Sequence, residues 1–135
     1  LSPEITYYGK ACPLFVPLVE EGWWDNDIAK AVAAEYLVPV AESGADTLIL
    51  GCTHYPLLIP AIRSVLGDSI RLINSARAVA EEVALRLREL NLLRTGTPGK
   101  ISFYTSDSAE KFSSLGSVFL GRPLEDVSRV DIEAF

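Results

Sequence analysis

A chain of 135 residues that is 49% hydrophobic can bury a core of its own, which excludes a disordered tether. Its 18 acidic and 12 basic residues give a net charge of −6, and Lys and Arg are scattered, so no basic cluster points to nucleic acid or a membrane surface. No apolar run approaches the roughly 18 residues of a membrane span. Two cysteines fit a reducing compartment, and a cytoplasmic location is expected.

Ile5 to Lys10 predicts a strand, closed by Ala11, Cys12 and Pro13. Leu14 to Glu21 is a short apolar segment ending at Gly22. Trp23 and Trp24 follow, with core packing the expected role for both, and Asp25 as the expected helix cap. Residues 26–43 predict a helix, with Ile28, Val32, Tyr36 and Val40 recurring at four-residue spacing beside Ala29 and Ala33. Pro39 is expected to kink its last turn and Gly44 to close it. Thr47 to Leu50 predicts a buried parallel strand ended by Gly51. Leu57 to Leu66 predicts a short helix starting near Pro60 and ended by Gly67. Ile70 to Ile73 predicts a further strand.

Ser75 is expected to cap a long amphipathic helix reaching about Leu90, with Val79, Val83 and Leu87 on one face. Residues 94–100 hold two glycines, a proline and two threonines, a turn. Ile101 to Tyr104 predicts a strand, and Ser106 or Asp107 a cap for a helix to about Leu115. Phe119 to Pro123 is expected as a short extended piece, and the tail after Asp126 carries weak signals. Strands alternating with helices predict an α/β fold with a mainly parallel sheet, its helices packed around the sheet and its crossovers right-handed.

Residues 46–56, Asp-Thr-Leu-Ile-Leu-Gly-Cys-Thr-His-Tyr-Pro, carry the chemistry. In open α/β sheets ligands bind at the carboxyl ends of strands. Cys52, Thr53 and His54, the single histidine, fall there. An imidazole beside a thiol favours the charged sulfur, the nucleophilic and basic form. The competing reading is that a free cysteine packs as a small hydrophobe, and it applies with most force to Cys12.

Gly51-Cys52-Thr53-His54-Tyr55-Pro56, followed by Leu57 and Leu58, resembles the second cysteine motif of glutamate racemases. Ala11-Cys12-Pro13-Leu14-Phe15-Val16-Pro17-Leu18-Val19-Glu20 is similar to another segment of that family, in its order and at about its spacing. The resemblance spans essentially the whole chain but only the second half of the family's length. The absence of methionine also leads us to expect a piece of a longer protein.

The resemblance implies two pseudo-symmetric lobes. Residues 1–72 are expected to belong to the second lobe. Residues 73–135 are expected to complete the first, whose opening strands lie in the other half. It further implies cofactor-independent racemisation of glutamate for peptidoglycan precursor synthesis, a homodimeric parent, and no metal. Removing an α-hydrogen and returning it from the opposite face needs an acid/base group on each side. A thiol, with an ordinary pKa of about 8.5, is suited to the task. By resemblance Cys52 is one such thiol and its partner lies in a Cys-Asn-Thr motif of the other half, so this chain alone is expected to be inactive. His54 is implied to assist Cys52 and to contact the substrate amine, Thr53 to donate to the substrate carboxylate, and Glu20 to lie near the site. Cys12, with unmatched flanks, is expected to be structural. Asn74-Ser75 departs from the family's commoner Asp-Ser, which changes the local charge. A racemase of aspartate or hydantoins shares the architecture, though His54 argues against it. A Cys-His hydrolase would need an oxyanion hole and a third orienting residue, and neither is legible.

Overall fold

The structure is a computed structural model and describes residues 4–96 and 98–134. The chain forms two compact units, Leu1–Asn91 and Leu92–Phe135.

In the first unit, helix α1 (Phe15–Glu20) leads into helix α2 (Asp27–Glu42). Strand β1 (Thr47–Leu50) is followed by a 3₁₀ turn (Tyr55–Leu58) and helix α3 (Ile59–Leu66). Strand β2 (Arg71–Asn74) and helix α4 (Ser75–Glu89) complete it. β1 and β2 pair in parallel, Thr47 opposite Arg71 through Leu50 opposite Asn74. The parallel β–helix–β pattern expected from the alternation is therefore present. Residues 5–10 do not form a strand: they carry no regular secondary structure and are open to solvent, Tyr7 being 90% exposed. An apolar, aromatic-rich run favours extension, but only a neighbouring strand's hydrogen bonds make it a strand, and the sheet here consists of β1 and β2.

Local chemistry sets the helix ends. Asn26, not Asp25, caps α2: its side chain accepts from the Ala29 N–H at 2.8 Å, while Asp25 pairs with Lys30 at 3.1 Å. Asn74, not Ser75, caps α4 by accepting from the Arg77 N–H. Ser75 instead donates its hydroxyl to the Leu50 carbonyl at 3.3 Å, tying the start of α4 to the end of β1. Pro39 leaves the Glu35 carbonyl without its helical donor, yet α2 continues to Glu42 and ends where Gly44 takes φ +77°.

The core lies between α1, α2, α3 and one face of β1. It comprises Phe15, Leu18, Val19, Ala29, Ala33, Leu37, Val40, Leu50, Leu58, Ala61, Ile62 and Leu66, with Cys12 and Ile70 at its margins. The buried stripe of α2 is Ala29, Ala33, Leu37 and Val40; of the expected line, Val40 is in it, Val32 and Tyr36 pack partly buried beside it, and Ile28 is half exposed. The small alanines in that stripe let α2 approach α3 closely. β1 is buried on one face only: Leu50 is 2% exposed and Ile49 66%. No residue of α4 is buried, so the Val79 and Val83 stripe faces solvent. Trp24 packs on the core and donates its indole N–H to the Val19 carbonyl at 2.9 Å, whereas Trp23 is 42% exposed.

Phe15 is the pivot of this core, 1% exposed, with its ring edge-on to both Tyr36 (5.4 Å) and Tyr55 (5.2 Å). Phe15→Ala should destabilise the chain by about 3–5 kcal/mol in urea unfolding. A loss below about 1 kcal/mol would mean that the site collapses around the cavity.

The second unit holds strand β3 (Phe103–Thr105), helix α5 (Ala109–Leu120) and strand β4 (Val127–Arg129), with β3 and β4 again parallel. The cap of α5 is Ser108, which accepts from the Lys111 N–H, rather than Ser106 or Asp107. The helix also runs past Leu115 to Leu120, taking in the first two residues of the extended piece expected over 119–123. Its end is fixed by Gly121 at φ +63° and by a serine strap: Ser113 donates to the Leu124 carbonyl and Ser117 accepts from the Leu124 N–H. Of the turn expected over residues 94–100, Thr97 lies outside the described residues.

Candidate active site

β1 ends at Leu50, and Gly51 releases the chain into a tight loop. The Tyr55 N–H bonds to the Cys52 carbonyl at 3.3 Å and the Leu57 N–H to the His54 carbonyl at 3.1 Å, so Cys52, Thr53 and His54 form the lip of the turn before α3. They stand at the carboxyl end of a parallel strand, where this architecture collects ligands.

The His54 ring joins three side chains. Its Nδ1 lies 3.9 Å from the Cys52 Sγ and 3.2 Å from the Thr53 Oγ1. Its Nε2 lies 3.8 Å from Oε1 of Glu20, the last residue of α1. Thus Cys52, Thr53, His54 and Glu20, all four residues singled out in the sequence, meet in one cluster. Cys52 and His54 are half-buried, while Thr53 and Glu20 are exposed. With Nδ1 as acceptor, the thiol proton has a base within reach, and the Nε2–H then points to a carboxylate that stabilises the resulting imidazolium. Glu20 is open enough for water to screen this pair, so its worth lies in orienting the ring more than in stability.

Cys12 is not in this cluster. Its thiol is buried and directed at the Lys10 carbonyl, 3.7 Å away. Burial pushes its pKa up, and the nearby Lys10 charge offsets only part of that. A buried, protonated thiol is inert. Iodoacetamide at pH 8 should therefore label Cys52 well before Cys12, as read by peptide mass spectrometry. The linkage has a definite sign: a raised folded pKa leaves Cys12's contribution to stability intact below the unfolded value, about 8.5, and removes it as pH rises through the folded value. Urea unfolding between pH 8 and 9.5 should show this alkaline loss in the chain and a weaker one in Cys12→Ser.

Sequence reasoning passed over Tyr55. Its hydroxyl donates to the Cys12 carbonyl at 3.4 Å, across 43 residues, and its ring meets the Phe15 ring edge-on. Burial first, then coulombic repulsion from the Cys12 and Cys52 sulfurs, raises its pKa, so it stays a neutral phenol. The available signal was an aromatic residue directly following the motif histidine. Among the described residues no three His, Cys, Asp or Glu side chains gather as a metal site would, and no helix is long and apolar enough to cross a membrane.

No family model matches the chain. Individual proteins match it closely. Over 99% of its length it is 46% identical to half of the glutamate racemase of Geobacter metallireducens, and over 97% it is 42% identical to 48% of that of Neisseria meningitidis. Among solved structures, glutamate racemase from Francisella tularensis in complex with D-glutamate superposes with a TM-score of 0.89 at 33% identity, covering 99% of this chain and 50% of that one. The Thermus thermophilus enzyme in complex with β-chloro-D-alanine gives 0.84 at 44% identity, covering 93% and 48%. The chain spans about half the length of the curated relatives it matches.

Proposed function

Because the chain is, along its whole length, the counterpart of half a glutamate racemase, we propose that its parent interconverts L- and D-glutamate by a cofactor-independent, two-thiol reaction, and that this chain brings one of the thiols. Cys52 takes or returns the α-proton on one face of the substrate. His54 exchanges that proton with it and meets the substrate amine. Thr53 donates to the substrate carboxylate, and Glu20 holds the imidazole from its far side. The second thiol, for the other face, belongs to the half outside this chain.

The observation that carries this reading is the thiol, imidazole and carboxylate in one line at the carboxyl end of β1. Uncovered apolar surface supports the need for another half. Ile49 on the open face of β1 and Val79 and Val83 on α4 are each more than half exposed, as faces awaiting a covering layer are. In the parent, residues 1–72 form most of one lobe and residues 73–135 finish the other. The parent is a cytoplasmic homodimer that supplies D-glutamate for peptidoglycan precursors.

Circular dichroism of the amino-acid band, followed with each glutamate enantiomer, tests this. The parent should racemise glutamate and not aspartate, and this chain alone should racemise neither. Turnover by the isolated chain at micromolar concentration would contradict the two-thiol division, and a parent that preferred aspartate would overturn the substrate.

A further inference from the structure

The Cys12 carbonyl accepts twice. One bond, 3.1 Å, comes from the N–H of Phe15, the first residue of α1, and the other, 3.4 Å, from the Tyr55 hydroxyl. A carbonyl oxygen has two lone pairs, so both bonds coexist. Tyr55 also lies edge-on to the Phe15 ring at 5.2 Å with the planes at 89°. The residue directly after His54 therefore grips the start of α1 twice, once by hydrogen bond and once by ring. At the other end of the same helix, Glu20 stands 3.8 Å from His54.

α1 is six residues long, so about 9 Å of stiff helix separates the grip from the carboxylate. A distance of 3.8 Å is already long for a charged hydrogen bond, and a small tilt of α1 would lose the contact. The packing part of the grip could be supplied by phenylalanine, but the hydroxyl cannot. Its raised pKa keeps the donor proton in place while the thiol cycles.

The geometry points to Tyr55 as a positioning residue: by bonding the Cys12 carbonyl and packing edge-on against Phe15 it fixes α1, and so sets where Glu20 stands against His54. This rests on the racemase reading of the site. Tyr55 touches neither substrate nor proton; it acts through Glu20.

The test is a kinetic cycle in the full-length parent with Tyr55→Phe, Glu20→Gln and the double variant, and with Phe15→Leu as a second way to loosen the grip. Tyr55→Phe should lower kcat about tenfold while KM stays within about twofold, because the loss is of alignment rather than of substrate binding. In the Glu20→Gln background the same change should cost less than about twofold, since neighbours acting through one contact are not additive. Phe15→Leu should show the same dependence on Glu20. Unchanged kcat in both Tyr55→Phe and Phe15→Leu, or an equal loss with and without Glu20, overturns the inference. Cys52→Ser is assayed alongside, and full activity there would overturn the racemase reading itself.

Discussion

Cys52→Ser in the full-length parent should lower racemisation of glutamate by at least about 10³-fold in both directions, while the variant stays folded. Serine is nearly the same shape, but its hydroxyl is far too weak an acid to alternate between proton donor and base near neutral pH. The loss must appear in both directions because each turnover uses this position once, as base for one enantiomer and as acid for the other. An equilibrium constant near one also forces kcat/KM to fall equally for the two. Cys12→Ser is the control. Its thiol is buried against the Lys10 carbonyl with its pKa raised, so the change should cost some stability and leave most of the activity. Equal inactivation of two folded variants would show that Cys12 had been wrongly kept out of the chemistry. Circular dichroism at saturating glutamate reads both rates.

Much of the site was legible because its signal is local. Thr47 to Leu50 is an apolar run closed by a glycine, and it folds as the strand over those residues. Cys52, Thr53 and His54 follow without a gap, so any strand–loop geometry brings them together. Glu20 is distant in sequence, and only the resemblance puts it near the site; its 3.8 Å separation from His54 is a tertiary fact. Tyr55 was missed for the same reason, since its partner carbonyl is 43 residues away.

The misreadings share a cause. Residues 5–10 have strand composition but do not form a strand in this sheet. Four-residue spacing in α2 includes Ile28, which is half exposed, and omits Leu37, which the packing on α3 buries. Cap positions slipped by a residue or two at Asp25, Ser75 and Ser106 because each lies beside another good cap residue. Which of them caps depends on backbone dihedrals: Asn26, Asn74 and Ser108 adopt the extended conformation and accept from the N–H three residues on. Periodicity gives the α4 stripe, Val79 and Val83, but does not say what covers it.

The most direct test of the central claim, that Cys52 serves one face of the substrate and a thiol outside this chain serves the other, is elimination from a β-chloro analogue of glutamate. In that reaction one thiolate takes the α-proton, the C–H electron pair becomes the Cα–Cβ double bond, and chloride leaves. Water then hydrolyses the enamine to the 2-oxo acid and ammonium. No second thiol is needed, so the two faces can be read separately, one enantiomer at a time. Chloride release should be measured for the L- and D-analogue with the wild-type parent and with Cys52→Ser. The expected result is loss of elimination from one enantiomer, by about 10³-fold or more, with elimination from the other largely kept. Equal loss from both enantiomers, or equal retention, would contradict the assignment of Cys52 to a single face.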